Sequence, residues 1–401
     1  MLQNPLSTPT QPPPPQFGDR LTQIAQAREA MLLNRQPPPT GISPLLARSW
    51  QRCLAQGHAP SQQLGFESVQ PQAMSRTLAQ NMPLLRAARP IIQTLAKAVA
   101  DTRYFALLTD AQGVVIELGG PIDRHDRRAT AIARLGVDLS ERAVGTTAIG
   151  ATLNELQPVW LHRGEHFFDD TAIYSCAGAP VIGPDGRCAG MLDLTGILVP
   201  ERPALRHLVA QSARRIENAL VQAQPHHLLL RLGWPGQTLG SDGDGLLAVA
   251  RDGLITGFNP PAADMLGLSQ ATPQALDALF AIEQGHLFDL ARHPGQTLEV
   301  PLWSGLRLQV MAQATNMPSL SASQPPLAPP SPGMAAGGPL RDVEDALIRR
   351  TVQDLRGNVA AAAKALGISR ATIAPGARCG SVPLCRSGNA QLGQLCVGEH
   401  P

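Results

Sequence analysis

The chain has 401 residues, of which 43% are hydrophobic, and it carries a formal net charge of +2 at pH 7. This length and apolar content predict two or three domains with buried cores. The near-neutral charge excludes a protein that coats nucleic acid through its overall charge, so any affinity for DNA must come from a local patch.

Nothing in the sequence predicts a membrane-spanning segment or a secretory signal. No apolar run is long enough to cross a bilayer, and the N-terminus lacks the basic start and apolar core of a signal peptide. Cys53, Cys176 and Cys188 are scattered, without the spacing of a metal site. We therefore expect a cytoplasmic protein with no cofactor, no bound metal and no membrane partner.

Proline-rich segments mark residues 1–40. Pro12 to Pro15 and Pro37 to Pro39 flank a short possible helix near Leu21 to Leu33. Such composition is typical of spacers. We predict that residues 1–40 form a disordered Pro-rich tail.

Residues 41–221 alternate between helical and strand patterns. The predicted helices cover part of 42–53, then 82–100 and 203–221. The predicted strands form hairpins, 105–109 with 114–118 and 177–182 with 188–194, each around a turn containing Asp and Gly. Helices that bracket an antiparallel sheet predict an α+β domain.

This region carries motifs that identify a family. They are Ser-Trp-Gln-Arg-Cys at 49–53, Gly-Thr-Thr-Ala-Ile-Gly at 145–150, and the stretch 176–196. Together they resemble the GAF sensor domain of bacterial activators of the acetoin-catabolism type, with Thr147 where that family usually has Asn. The resemblance implies a small-molecule or regulatory module with a pocket on one face of an antiparallel sheet. It also implies that residues 41–221 are a GAF sensor domain with N-terminal helices.

The resemblance places a ligand pocket in the loop-rich half of this domain. Trp160 and the segment 165–167 lie there. An apolar ligand can be held in such a pocket with a few polar contacts. We expect Trp160, Glu165, His166 and Phe167 to line an effector pocket.

Charged and metal-ligating side chains in this domain allow a second interpretation. His162 and His166 stand at i, i+4, with Asp169 and Asp170 behind them, which could hold a metal on a helix. Gly164 lies between the histidines and favours a structural or pocket-lining role. The run of arginines is expected to be a solvated face; its members are Arg124, Arg127, Arg128 and Arg134.

A pair of cysteines raises an enzymatic alternative, because some free-standing GAF proteins reduce methionine sulfoxide with cysteines. In the predicted hairpin register, Cys188 lies opposite about Ile182 and Cys176 opposite about Leu194. At about 3.3 Å per residue the cysteines are on the order of 20 Å apart along the strands. A disulfide needs Cα atoms within roughly 7 Å. We therefore expect no catalytic residues and no enzyme activity.

Residues 241–313 predict a second, smaller α+β domain. Strands 246–250 and 254–258 flank Arg-Asp-Gly, a tight hairpin turn. Asn259 and Pro260 predict the start of a helix over 262–268. Strands 297–302 and 306–311 form a closing hairpin. This order resembles a PAS-like domain.

Residues 314–339 are rich in Pro, Ser, Gly and Ala, which predicts a flexible linker. In relatives of the acetoin-catabolism type, an ATPase often stands at this place. Such an ATPase needs a phosphate-binding loop that ends in Gly-Lys followed by Ser or Thr. Lys97 and Lys364 both follow alanine. The chain is therefore expected to lack ATPase activity.

Residues 340–374 predict helices that dock into DNA. Asn358 can cap a helix over 359–366, Gly367 permits the turn, and Ser369 can cap a second helix. Ala363 lies one turn before Gly367, so the helices can cross closely. A helix-turn-helix places its second helix in the major groove. The segment resembles the all-helical, usually dimeric DNA-binding domain of the Fis type. The expected DNA-binding residues are Ser369, Arg370, Thr372, Asn358 and Lys364.

The pattern breaks after Ile373. Ala374-Pro375-Gly376 stands where the Fis type continues with a basic helical run, and Pro disfavours helix there. Residues 375–401 show no helical period and are expected to be an irregular tail. They are either a natural extension or the product of a shifted reading frame, and the position of the break inside the motif favours the second.

Two functions remain open from the sequence. The first is a bacterial transcriptional regulator that senses an effector through its GAF domain and binds DNA as a homodimer. The alternative is a sensor or interaction protein that has lost DNA binding through a C-terminal frameshift.

Overall fold

The computed structural model describes residues 17–268 apart from 38, 40 and 41, residues 274–314, and the single positions Val359 and Ala363. The chain divides into two compact units, residues 1–319 and residues 320–401. All elements named below lie in the first unit. In the second unit, Val359 and Ala363 are helical and Ala363 is buried, as the sequence predicts for these positions.

A docked helix stands where the sequence predicted part of a disordered tail. Helix α1 (Phe17–Arg28) continues as a π-helical turn, Glu29–Leu33. Ile24, Ala27 and Met31 are at most 4% exposed. They recur at helical spacing on one apolar face, and Ala27 and Met31 belong to the domain core. The tail prediction is therefore wrong for residues 17–33, because the proline runs mark the ends of a helix. Residues 1–16 lie outside the described part of the chain.

The first sheet is antiparallel and has the strand order β2-β1-β5-β4-β3. Its strands are β1 (Tyr104–Asp110), β2 (Val115–Gly119), β3 (Val159–His162), β4 (Tyr174–Ile182) and β5 (Cys188–Ile197). Both hairpins predicted from the sequence, β1–β2 and β4–β5, are confirmed.

Helices cover both faces of this sheet. They are α2 (Pro44–Ala55), α3 (Pro71–Gln80), α4 (Met82–Ala98), α5 (Arg127–Ile132), α6 (Glu141–Val144), α7 (Ala148–Glu155) and α8 (Leu205–Gln222). The α+β prediction is confirmed, and α2, α4 and α8 lie where the sequence places them. The short elements α5 to α7 and β3 were not predicted, since each has eight residues or fewer.

Alternate residues of the strands fill two separate cores. On β1, Phe105 and Leu107 face a core shared with α1, α2 and α7, whereas Ala106 and Leu108 face a core shared with α4 and α8. The period of two is the strand's own geometry. The sheet is therefore buried on both faces, and a site on either face must be enclosed.

The register of the β4–β5 hairpin corrects one prediction. Cys188 pairs with Ile182 as predicted, but Cys176 pairs with Thr195 and not with Leu194. A bulge between Val181 and Ile182 inserts the extra residue and shifts every later pair by one.

A second antiparallel sheet follows, with the order β8-β7-β6-β10-β9. Its elements are β6 (Leu228–Gly233), β7 (Gly245–Val249), β8 (Ile255–Phe258), α9 (Pro260–Leu266), α10 (Gln284–Leu290), β9 (Thr297–Pro301) and β10 (Arg307–Ala314). Both predicted hairpins, β7–β8 and β9–β10, are present. The central strand β6 was not predicted and precedes the predicted domain start at residue 241.

Hydrogen bonds join the second sheet to the first part of the chain. Buried Asn259 donates from Nδ2 to Asn218 of α8 at 2.8 Å, and its Oδ1 caps α9. The backbone N–H of Phe258 donates to the carbonyl of Pro184, in the β4–β5 turn, at 3.0 Å. Helix α8 and that turn therefore hold the second sheet.

Candidate functional site

The side chains predicted to form one effector pocket are divided between different places. Trp160 and Glu165 border an open groove, and His166 borders a small closed cavity. Phe167 is fully buried in the core. The loop after β3, residues 163–171, therefore has an outer side, which borders the open groove, and an inner side, which borders the closed cavity.

The open groove has a volume of about 800 Å³ and is bordered by α1, residues 42–45, β3 and the start of α8. Trp160 stacks on His162 with ring centroids 6.2 Å apart. Arg20 of α1 contacts Glu165 at 2.9 Å and Glu201 at 3.1 Å. Burial raises the pKa of Glu165 to about 6, against the opposing effect of Arg20. The charges on this side of the groove are thus paired within the chain.

The closed cavity lies between the first sheet, α5, α7 and the inner side of loop 163–171. Its volume is about 20 Å³, room for roughly one water-sized group. The apolar part of the lining consists of Phe66, Leu107, Ile132, Leu139, Val144, Ala148 and Ile149. The polar part consists of Thr147, His166, Thr171, Tyr174, Cys176 and Thr195. Phe66 and Thr147 are its half-buried members, so the cavity comes nearest to solvent beside them.

His166 is held in one protonation state at the wall of this cavity. Its Nδ1 lies 2.9 Å from the carbonyl oxygen of Arg163. A carbonyl oxygen can only accept, so Nδ1 carries a hydrogen. Burial lowers the pKa of His166 to about 4, with smaller contributions from His162 and Arg28. The ring is therefore neutral near pH 7, and Nε2 is an acceptor.

The second ring nitrogen of His166 has no partner. Its Nε2 is buried and makes no hydrogen bond with any described residue. Such buried, unsatisfied nitrogens are uncommon in folded proteins and call for an explanation. The backbone also departs from the common conformations here, because Arg163 adopts a positive φ of 53°.

Helices α1 and α2 hold the outer side of the same loop. Arg28 donates from Nη1 to the carbonyls of Gly164 at 3.0 Å and His166 at 2.5 Å, and from Nη2 to Asp169 at 2.6 Å. The indole N–H of Trp50 donates to the carbonyl of Glu165 at 2.9 Å. The loop is therefore bound from outside by side chains that are far from it in sequence.

The motif at 49–53 has a structural role. Arg52 donates from Nε and Nη2 to the two carboxylate oxygens of Glu141, at 2.6 and 2.9 Å, and from Nη1 to Glu155 at 2.9 Å. Ser49 donates to Glu141 at 2.6 Å. Glu141 begins α6 and Glu155 ends α7, so these contacts fix α2 against both helices.

The motif at 145–150 builds the corner beside the cavity. Gly145 has a φ of +63°, and a Cβ there would lie 2.7 Å from the ring of Phe168. Thr147 accepts from the N–H of Gly150 at 3.1 Å and caps α7. Threonine is a competent N-cap, so it replaces the family's usual Asn without loss of the cap.

Other candidates from the sequence have structural positions. His162 ends β3, and its Nδ1 lies 2.8 Å from the hydroxyl of Ser175, so His162 and His166 do not share a helix. Among the described residues no group of side chains could hold a metal ion. The cysteines at 176 and 188 are both free. The arginines are all exposed: Arg124, Arg127, Arg128 and Arg134. No helix in the described ranges is long and apolar enough to span a membrane.

The predicted DNA-binding residues Ser369, Arg370, Thr372, Asn358 and Lys364 all lie outside the described part of the chain. Ala363, next to them in sequence, is helical and 5% exposed.

Similarity to known families covers both ends of the chain. The family described as "MimR, N-terminal domain" matches residues 21–218, and "Bacterial regulatory protein, Fis family" matches residues 339–374. The chain combines a MimR-type N-terminal domain with a Fis-type helix-turn-helix segment. The MimR-type match begins inside α1, which agrees with the docking of that helix into the domain core.

Curated relatives are transcriptional regulators by name. The acetoin catabolism regulatory protein of Cupriavidus necator is 29% identical over 55% of this chain and 34% of its own length. The propane 2-monooxygenase operon transcriptional activator MimR of Mycolicibacterium goodii is 28% identical over 51% of this chain and 34% of its own length. The matched part therefore spans about a third of these relatives.

Among solved structures, the DhaR(N)–DhaL complex of E. coli is similar at 14% identity with a TM-score of 0.43, covering 68% of this chain and 100% of that one.

Proposed function

We propose that this chain is a cytoplasmic bacterial transcriptional regulator that binds a small effector in its MimR-type domain and DNA through its Fis-type segment. The observation that carries the proposal is the presence of both segments on one chain. The names of the curated relatives support it. The regulator acts as a homodimer and has no enzymatic activity of its own.

The effector site is the closed cavity beside His166. The charges of the open groove that contact Glu165 are already paired with it, so a ligand there would have to displace ion pairs. The cavity instead offers an apolar lining and an unpartnered nitrogen, a composition that small-molecule sites share, and its volume of about 20 Å³ must widen when an effector enters. Of the predicted effector residues, His166 is therefore the one that contacts ligand.

The experiment has two parts. Selection of duplexes from a random-sequence library by the full chain should enrich one motif, which fluorescence anisotropy can confirm. Screening small molecules by thermal unfolding should then find a stabiliser, because a ligand at 100 times its dissociation constant adds about 2.7 kcal/mol. A stabiliser that changes DNA affinity supports the proposal. Failure to enrich any DNA motif, even at low salt, would reject the DNA-binding half.

One observation supports the alternative of a sensor that no longer binds DNA. The Fis-type match ends at residue 374, directly before Pro375. Proline disfavours helix at this position, so under this alternative the segment lacks the later turns that contact bases and phosphates. Under this alternative the effector still binds, but no duplex is enriched.

A further inference from the structure

One side of the first sheet is covered by helices that carry almost no acidic residues. These are α3, α4 and α8, which pack on the same core. Helices α3 and α4 contain no aspartate or glutamate. The acidic residue of α8 is Glu217, which is 6% exposed and accepts from the N–H of Ile182 at 2.9 Å. The chain as a whole is nearly balanced, with 33 basic and 31 acidic residues, so its acidic residues lie mostly elsewhere.

The outer sides of α4 and α8 carry basic side chains. Arg86 and Lys97 of α4 are exposed, as are Arg214 and Arg215 of α8. The opposite sides of both helices fill the core above the sheet, so the exposed sides face away from the sheet on the same side of the domain. We call Arg86, Lys97, Arg214 and Arg215 the basic face.

The positive charge of the basic face is only partly compensated. Arg215 pairs with Asp242 at 2.7 Å, and both side chains are half exposed. The other three members of the face form no ion pair with a described residue, and Asp101 is exposed just after the end of α4. The basic face therefore has a surplus of positive charge.

The opposite side of the sheet is arranged differently. Helices α1 and α2 lie there, and their arginines reach carboxylates of the same domain. The ion pairs join Arg20 to Glu165, Arg28 to Asp169, and Arg52 to Glu141. The chain thus supplies anions to one helical layer and leaves the other open to an anion from outside.

The chemistry of the surface limits the kind of partner. Among the described residues of α3, α4 and α8, no large apolar side chain is exposed. A helix that lies on a membrane inserts an apolar face, and the centre of a protein interface is rich in aromatic residues and poor in lysine. Interfaces with DNA are more polar and much more positively charged. Duplex DNA is therefore the polyanion that this surface fits best.

We propose that the basic face binds the phosphate backbone of double-stranded DNA. The proposal rests on the proposed function, because it assumes that the Fis-type segment brings DNA to the chain. Both parts belong to one chain, so a duplex held by that segment is at high local concentration for the basic face. Phosphate contacts carry no sequence information, so the face adds affinity for any duplex and does not select the motif.

The spacing of the charges suits a duplex. At 1.5 Å per residue, Arg86 and Lys97 are about 16 Å apart along α4. One DNA strand carries a negative charge every 3.4 Å or so of the helix axis, so this length matches about five phosphates. Arg214 and Arg215 lie on the neighbouring helix, and packed helix axes are about 8–10 Å apart. The basic face is therefore wide enough to contact a strand along several phosphates.

Neutralisation of three side chains tests the contact. The triple variant carries Arg86→Gln, Lys97→Gln and Arg214→Gln in the full chain. The slope of log affinity against log salt concentration should become shallower by about 2.7, because each phosphate contact contributes about 0.9. The affinity should fall by the same factor for the selected motif and for a random-sequence duplex, both measured by fluorescence anisotropy.

A control variant removes the same charge from exposed positions outside α4 and α8. Its substitutions are Arg124→Gln, Arg127→Gln and Arg251→Gln. The slope of this control should stay close to that of the unmodified chain. An unchanged slope in the first triple variant, or an equal change in both variants, would overturn the inference.

The scarcity of lysine permits a second test on the unmodified protein. Lysine occurs at positions 97 and 364, in the basic face and in the Fis-type segment. Acetylation of the full chain, followed by mass spectrometry of its peptides, reports the accessibility of each lysine separately. A random-sequence duplex should slow acetylation of Lys97 at low salt, and the protection should disappear at high salt. Acetylation of Lys97 at the same rate with and without duplex contradicts the inference.

The two lysines also separate this inference from the proposed function. If the chain selects a motif and that duplex protects Lys364 but not Lys97, the proposed function stands and the basic face is not a DNA contact. If a duplex protects Lys97 but no motif is selected, the basic face stands and the role of the Fis-type segment falls. If no duplex binds at low salt, or an acidic peptide protects Lys97 and DNA does not, the inference is wrong.

Discussion

The indole N–H of Trp50 donates to the backbone carbonyl of Glu165 at 2.9 Å, with the indole ring fully buried. This bond joins α2 to the loop that separates the open groove from the closed cavity. Because a buried carbonyl without a partner is costly, the tryptophan holds the loop in its place.

Replacement of Trp50 by Phe should destabilise the protein. The change removes the N–H donor and leaves the carbonyl of Glu165 unpaired, which costs about 1–3 kcal/mol before any packing loss. The free energy of unfolding from urea titrations measures it. Trp234→Phe is the control, since Trp234 is 40% exposed and should change stability by about 0.5 kcal/mol or less. A similar loss in both variants would count against the role given to Trp50.

Replacement of Arg52 by Met should be more damaging than loss of a surface ion pair. It leaves the carboxylate of Glu141, which is 5% exposed, without its bidentate partner. We expect a loss of about 3 kcal/mol, because removing one partner strands a buried charge. Arg307→Met breaks an exposed pair with Glu299 and should cost about 1 kcal/mol or less. Equal costs, measured by chemical denaturation, would contradict the prediction.

The ionisation of Asp193 should lower the stability of the protein as pH rises from about 4 to about 7. Burial raises the pKa of Asp193 to about 7, from an ordinary value of 3.8. Between these values the carboxyl group of Asp193 binds more protons in the folded state than in the unfolded chain, so the stabilisation that it contributes at low pH is lost as it ionises. Urea titrations over this range measure the slope.

The variant Asp193→Asn tests the assignment of that slope. It should reduce the pH dependence, whereas Asp185→Asn, at an exposed turn position, should leave it unchanged. The remaining slope is the difference between two contributions: burial raises the pKa of Glu217 to about 7, which lowers stability with rising pH, and burial lowers the pKa of His166 to about 4, which raises it. An unchanged slope in Asp193→Asn would mean that other groups cause it.

DNA binding by the chain as it stands should be weak and sensitive to salt. Arg370 is expected on the first turn of the second helix, where an arginine paired with guanine contributes about 1–3 kcal/mol. Replacing residues 374–401 with a helical, basic continuation should tighten binding to the selected motif, measured by gel shift across salt concentrations. A replacement of equal length without basic residues is the control. Nanomolar specific binding by the original chain would show that the break at Pro375 does no harm.

The helices and strands of the fold could be predicted from the sequence. The direction in which the side chains of a loop point could not. Period-two and helical patterns were sufficient for both pairs of hairpins, α4 and α8. Adjacent residues Glu165 and His166, however, lie on opposite sides of one loop. That arrangement depends on the left-handed conformation of Arg163 and on Arg28, which contacts the loop from more than a hundred residues away in sequence. Neither is visible in a local pattern.

The docking of α1 decides where this protein can be cut for study. A fragment that begins at residue 41 would leave the core without Ile24, Ala27, Met31 and Leu32, all nearly inaccessible in the full chain. The uncovered apolar surface would favour self-association. The carbonyls of Gly164 and His166 would also lose the guanidinium that orders the wall of the closed cavity. If a shortened protein fails to bind an effector, the cause would be the loss of α1 from the cavity wall. Such a result would not identify or exclude any ligand.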